Sequence, residues 1–256
     1  MEEWRLIVDS PAEGSENMAV DEAILLSCEM GIAPSTIRFY EWRTPTISIG
    51  YLQSYTSFDG VEAPVIRRIS GGRAVIHDAE LTYSIICRRE DSLFSKGIHG
   101  SYEVISRAII NALKDLSIEA TIVPSKKRSS EGVIRESCFS SPSRYEIIVD
   151  GKKVAGSAQR RFKRAFLQHG SIIFDVDREM IVGVFGESAL DSMTWLNLFK
   201  KVGKDEFRTA CIERIEEALG VRLYHGTLSE EEECLRDRLI LEKYTSDRWN
   251  KAGMPA

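Results

Sequence analysis

The chain has 256 residues, 43% of them hydrophobic and 29% charged, with a net charge of −5. That length and mix suit a globular protein with a sizeable core, and the charge gives no general attraction to nucleic acid. No apolar run approaches the ~18 residues that cross a membrane, and the start, MEEWRLIVDS, lacks the apolar stretch of a secretory signal. Five cysteines without paired spacing argue against a disulfide framework and a zinc site, so the expected compartment is a reducing cytoplasm, with no metal.

In chain order, SENMAVDEAILLSCEMG predicts a helix, with Ser15 as its cap and Gly31 as its stop. The runs TIRFYEW, TISIGYL, PVIRRIS, RAVIHD and LTYSIICRR follow, rich in β-branched and aromatic residues and read as strands. SYEVISRAIINALKDL spaces Tyr102, Ile105, Ile109, Leu113 and Leu116 as one helical face. TIVPS, YEIIV, KKVAGSAQ and AFLQHGSIIFDV again read as strands, with Asp150-Gly151 as a two-residue hairpin turn. Two helices close the chain: DEFRTACIERIEEALG, stopped by Gly220, and LSEEEECLRDRLILEKY, opened by Ser229 and Glu232 at capping-box spacing. Strands without regular intervening helices predict an α+β domain on a mainly antiparallel sheet. Nothing marks a linker or repeat, so a single domain over 1–256 is expected, with the last helices (about 205–246) packed on it and no accessory domain.

Four segments could carry chemistry. In RRISGGRAVIHDAELTYSI, Gly71 and Gly72 let backbone approach a ligand, or simply turn a hairpin. His77-Asp78 could be an acid/base pair or a structural contact. In the DG hairpin, Val149 should pair with Lys152 and Ile148 with Lys153, which puts Lys153 beside Ala155 and Ser157. Lys153 is then either a partly desolvated base or an exposed turn lysine. Cys28, Cys87, Cys211 and Cys234 read as packing residues. Cys138 lies instead among Ser137, Ser140, Ser141, Pro142 and Ser143, where a thiol is either inert or, near a cation, reactive. QRRFKRAF could meet nucleic acid, solvent or an acidic protein domain.

Taken together, RRISGGRAVIHDAELTYSI, DGKKVAGSAQRR and LQHGSIIFD, with NMAVDEAIL and FYEWRTPTISIGYLQ before them, resemble the biotin/lipoate protein ligase and octanoyltransferase superfamily. The resemblance spans about residues 15–250 and implies an α+β domain with a mixed, mainly antiparallel sheet. It also implies a substrate site with Arg67, Gly71, Gly72 and His77 from the first motif, Gly156 and Ser157 from the second, and His169 from the third. Lys153 matches the family lysine. Ligases of the superfamily usually have a third glycine where this chain has Arg73, and an Asn-Asp pair where it has Tyr145-Glu146. Cys138, Phe139, Pro142, Ser143, Tyr145 and Glu146 resemble the cysteine-dependent octanoyltransferases, with Arg144 a departure from a common aromatic.

The resemblance therefore implies an acyltransferase of protein lipoylation that needs no cofactor. Cys138 is the expected nucleophile and Lys153 the group that sets its protonation. Octanoyl-acyl carrier protein is the expected donor and a lipoyl-type carrier domain the acceptor; neither a membrane nor nucleic acid is expected as a partner. Backbone amides of Gly71-Gly72 or Gly156-Ser157 are the oxyanion candidates. Val75, Ile69 and Ala155 are the candidates for the acyl slot, and Arg160, Arg161, Lys163 and Arg164 for steering acidic carriers. The alternatives are an ATP-dependent lipoate ligase, an amidotransferase between lipoyl domains, or a non-catalytic protein that binds a carrier domain or nucleic acid.

Overall fold

A computed structural model describes residues 2–122 and 145–253. Cys138 and its neighbours Phe139, Pro142, Ser143 and Arg144 lie outside the described residues. The chain opens with strand β1 (Glu2–Val8) and helix α1 (Gly14–Met30). Strands β2 (Thr36–Tyr40), β3 (Thr46–Ile49), β4 (Val65–Arg67), β5 (Val75–His77) and β6 (Glu80–Arg88) follow. Helices α2 (Ser92–Ser95) and α3 (Gly97–Asp115) lead to β7 (Thr121–Ile122). After the undescribed segment come β8 (Ile147–Val149), β9 (Lys152–Arg161) and β10 (Ala165–Ile173). The remainder is α4 (Arg178–Phe185), α5 (Ser188–Ser192), α6 (Lys204–Leu219), β11 (Val221–His225), α7 (Glu230–Leu239) and α8 (Asp247–Asn250).

Among the described residues the main sheet has the order β11-β1-β2-β6-β10-β9-β8-β7, and a smaller sheet has the order β4-β3-β5. In the main sheet β1 runs parallel to β2 and β11, and the other pairings are antiparallel. This is the expected mixed, mainly antiparallel α+β fold. Strand alternation splits the core in two. Tyr83, Ile85, Phe166 and Ile172 face Ile105, Ile109 and Leu113 of α3 and Phe207, Cys211 and Ile215 of α6. Ile86 and Leu167 face Ile24 and Leu25 of α1, and Tyr244 and Trp249 complete that second cluster. Each large apolar side chain so buried contributes roughly 1.5–3 kcal/mol.

Several local expectations change. Helix α1 starts at Gly14, with Glu13 as N-cap and no side-chain cap, so Ser15 sits inside the first turn; Gly31 ends the helix at φ 78°. Cys28, Cys87 and Cys211 are buried, but Cys234 is exposed. Strand β11 lies between the last long helices and adds an edge to the sheet. Glu232 closes the capping box with Ser229 and also accepts from Arg5 of β1 at 2.5 and 2.6 Å, which ties α7 to the sheet. Arg67 binds the C-terminal segment: its guanidinium donates to the carbonyls of Trp249 (3.0 Å) and Asn250 (3.0 Å), and to those of Gly50, Tyr51 and Gln53. Trp249 Nε1 donates back to the Arg67 carbonyl at 2.8 Å. Among the described residues, no helix is long and apolar enough to cross a membrane.

Candidate active site

A cavity of about 180 Å³ opens on the α1 side of the sheet, where β9 and β10 meet the small sheet. His169 and Ser171 of β10 stand opposite Ala158 and Gly156 of β9, and these four share the cavity face with Thr82 of β6. Ser48, Val75 and His77 come from the small sheet. Met18, Tyr40 and Trp42 are buried apolar and aromatic parts of the wall, whereas Gly72, Arg73 and Lys153 are more exposed.

Strands β4 and β5 do not pair with each other. They flank β3 on opposite sides, parallel and antiparallel, so Gly71-Gly72 is a crossover and not the turn of a hairpin. Glycine is required twice here. Gly72 has φ 95°, and a Cβ on Gly50 would lie 2.0 Å from the Gly72 carbonyl oxygen. Arg68 holds this crossover: it donates to the carbonyls of Ser48 (2.8 Å), Gly71 (2.9 Å) and Arg73 (2.7 Å).

The Asp150-Gly151 turn has φ 49° and 75°, the positive pair of a tight hairpin. Val149 pairs with Lys152 and Ile148 with Lys153, but Ile147 pairs with Ala155. One extra residue in β9 makes a bulge and reverses the alternation. Ala155 therefore enters the α3-side core. Lys153 instead shares the face of Gly156, where a Cβ would lie 2.6 Å from Lys153 Cε. The expected grouping of Lys153 with Ala155 is thus corrected by the bulge, while Ser157 lines the cavity with Lys153. Lys153 Nζ donates to Glu146 at 2.6 Å, and both side chains line the cavity.

Two buried relays run beneath the cavity. In one, Ser48 Oγ lies 2.7 Å from His77 Nε2, and His77 Nδ1 lies 3.2 Å from Glu80. Thr82 and Ser171 also donate to Glu80. Burial pushes the His77 pKa down and outweighs the Glu80 carboxylate, which favours the charged ring. Trp42 stacks on the His77 ring at 3.9 Å and donates to Thr82 at 2.9 Å. In the other relay, Ser70 Oγ lies 2.5 Å from His169 Nε2, and His169 Nδ1 lies 3.1 Å from Asp21. Asp21 also accepts from Arg38 and Ser84 (both 2.9 Å) and from Tyr40 (3.0 Å).

Of the residues singled out in the sequence, Gly72, His77, Lys153, Gly156, Ser157 and His169 line this one cavity, and Gly71 stands beside it. Arg67 does not; its neighbour Arg68 does, because adjacent strand residues point to opposite sides. His77 is partnered by Glu80, not Asp78. Val75 lines the cavity, while Ile69 and Ala155 are packed into the two cores. The four basic residues of QRRFKRAF do not form one patch: the Arg161 guanidinium lies 3.8 Å over the Phe94 ring, whereas Arg160 lies over Tyr51 on the opposite face. Ser48, Asp21, Trp42 and Glu80 were missed. One signal for Glu80 was available: Glu80, Thr82 and Ser84 alternate with Leu81, Tyr83 and Ile85, which puts a polar stripe on one side of the strand. Among the described residues, no group of three or more His, Cys, Asp and Glu is placed to hold a metal.

Comparison with known proteins places this geometry in a family. Octanoyltransferase LipM of Halalkalibacterium halodurans is 35% identical over 273 residues, covering 98% of this chain and 99% of that protein. Octanoyltransferase LipM of Bacillus subtilis is 37% identical over 272 residues, covering 97% and 98%. A T. acidophilum structure described as a lipoate protein ligase, with lipoic acid bound, superposes with a TM-score of 0.82 at 26% identity, covering 98% of this chain and 99% of that one. The family model of the lipoyl protein ligase A/B catalytic domain matches residues 13–216, and the chain belongs to that family.

Proposed function

We propose that the chain is an octanoyltransferase of protein lipoylation that carries the acyl group on the Cys138 thiol, from octanoyl-acyl carrier protein to a lysine of a lipoyl-type domain. The near full-length likeness to octanoyltransferases supports the acyl-transfer activity. The finer reading rests above all on Lys153, whose ammonium meets Glu146 at 2.6 Å in an otherwise largely apolar cavity, shortly after Cys138 in the chain. In this reading the thiolate attacks the donor thioester, and one thioester replaces another without ATP. The acceptor amine, with an ordinary pKa of about 10.4, then gives up its proton as it attacks the acyl-enzyme. Lys153 relays protons in both steps. Gly72 and Gly156 leave room for the Arg68 and Lys153 side chains beside them, and the backbone amides there are the oxyanion candidates.

Intact-mass spectrometry after mixing with octanoyl-acyl carrier protein tests this. A hydroxylamine-labile octanoyl adduct should form without ATP and vanish in Cys138→Ala. The likeness to a lipoate ligase favours a second reading, in which free acid is activated by ATP. A hydroxylamine-labile adduct mapped elsewhere, or transfer that requires ATP, would replace the thioester reading.

The acyl chain should point toward Trp42, which is fixed by His77 and Thr82 and so cannot swing aside. Trp42→Val is expected to admit longer chains. At about 0.8 kcal/mol per buried methylene, the ratio of dodecanoyl to octanoyl transfer should rise at least about tenfold. Competition between the two donors measures it, and an unchanged ratio in a folded variant would place the end of the slot elsewhere.

A further inference from the structure

The Ser48 relay has the contacts of a hydrolytic centre: a hydroxyl on a ring nitrogen, and a carboxylate on the other ring nitrogen. A carboxylate accepts only, so Glu80 fixes the His77 proton on Nδ1 and leaves Nε2 to accept from Ser48. Thr82 and Ser171 hold Glu80, and the Trp42 stack holds the ring, so the base is oriented before any ligand arrives. Burial favours the neutral ring, which is the basic form. Arg68 Nη1 lies 3.1 Å from Ser48 Oγ and sets a permanent positive charge beside the oxygen that would lose its proton.

The second relay supplies an internal comparison. Ser70 makes the same kind of contact to His169, yet it does not line the cavity, whereas Ser48 and His77 both do. Ser48 is 1% exposed, so the molecule that can reach it is one already seated in the cavity. We infer that Ser48 is a second acyl-accepting nucleophile, which gives the chain a hydrolase activity on medium-chain acyl thioesters and activated esters that does not need Cys138. The inference rests on the cavity holding an acyl chain, as in the function proposed above.

The chemistry balances without a cofactor. As Ser48 Oγ bonds to the acyl carbonyl carbon, its proton passes to His77 Nε2. The carbon–sulfur bond then breaks, and that proton leaves with the thiol. Water attacks the resulting ester with His77 as base, the Oγ–carbon bond breaks, Ser48 regains its proton, and a free fatty acid is released.

The test uses full-length Cys138→Ala protein with 4-nitrophenyl octanoate and with an octanoyl thioester. Release of 4-nitrophenol is expected at about 10²-fold above the uncatalysed rate, and at background in the Cys138→Ala/Ser48→Ala variant. An octanoyl adduct that survives neutral hydroxylamine, as an ester does and a thioester does not, should map to the Ser48 peptide. That mapping is made on the Cys138→Ala chain, so a poorly folding Ser48 variant does not blunt it. Turnover that persists without Ser48, no ester at all, or an ester on Ser70, would overturn the inference. If wild-type protein forms a hydroxylamine-labile adduct while Cys138→Ala forms none, only the Ser48 inference fails; if neither forms any adduct, the acyl-carrying cavity fails with it.

Discussion

Lys153→Ala is expected to lower kcat for acyl transfer by about 10²–10⁴-fold, the range for loss of a positioned general acid–base group. Two features of β9 hold the residue on the cavity. The bulge turns it onto the cavity face, and Gly156 leaves room for its side chain. Two roles must be separated, since an ammonium could act through its charge alone. Lys153→Arg keeps the charge but cannot give up a proton at accessible pH. Proton relay predicts that Lys153→Arg is nearly as slow as Lys153→Ala, with single-turnover rates for acyl-enzyme formation and for transfer both depressed. If the arginine variant keeps more than about a tenth of wild-type kcat, well inside the loss expected for a proton-transfer group, Lys153 acts electrostatically and the relay is wrong.

Asp21→Ala should cost about 3–5 kcal/mol of stability, because it takes the carboxylate from a buried guanidinium. Arg38 is 1% exposed and meets Asp21 at 2.9 Å. Its other carboxylate, Asp9 at 2.6 Å, is more exposed and moderates the loss. His169, Tyr40 and Ser84 lose their acceptor as well. For a chain of this size the melting temperature should fall by about 10 °C. The pH dependence follows from the same contacts. Burial alone would raise the Asp21 pKa, but the His169 and Ser84 hydrogen bonds and the Arg38 charge outweigh it and hold it below the ordinary value. The folded carboxyl thus binds its proton less readily than the unfolded one. Its contribution is complete above the unfolded value of about 3.9 and drains away as pH falls through the lower folded value. Chemical denaturation at pH 7 and at pH 3 checks both points: the gap between wild type and Asp21→Ala should narrow in acid, and equal stability at pH 7 would refute the assignment.

Strands and helices that declare themselves locally were legible. β6 and β10 are nine-residue strands rich in β-branched and large apolar residues at their ends or on one face, and α3 has a clear apolar face. β1 and β11 were not, because their charged and polar residues hide them and a parallel pairing between residues 2–6 and 221–225 has no local signature. The motifs pointed to one cavity without showing what holds it together. Glu80, Asp21 and Arg68 act through contacts across strands, and the Lys153 face turns on a bulge that ideal alternation does not anticipate. Cys138 stands on sequence alone.

The Arg67 contacts have a practical consequence for anyone redesigning this protein. One guanidinium is shared by the strand that enters the Gly71-Gly72 crossover and by the last described helix, so these two segments are not independent for engineering. Trimming or swapping residues 247–251 would strip acceptors from that arginine and slacken the cavity rim from behind, with an expected loss of turnover that assays would misread as damage to the chemistry itself.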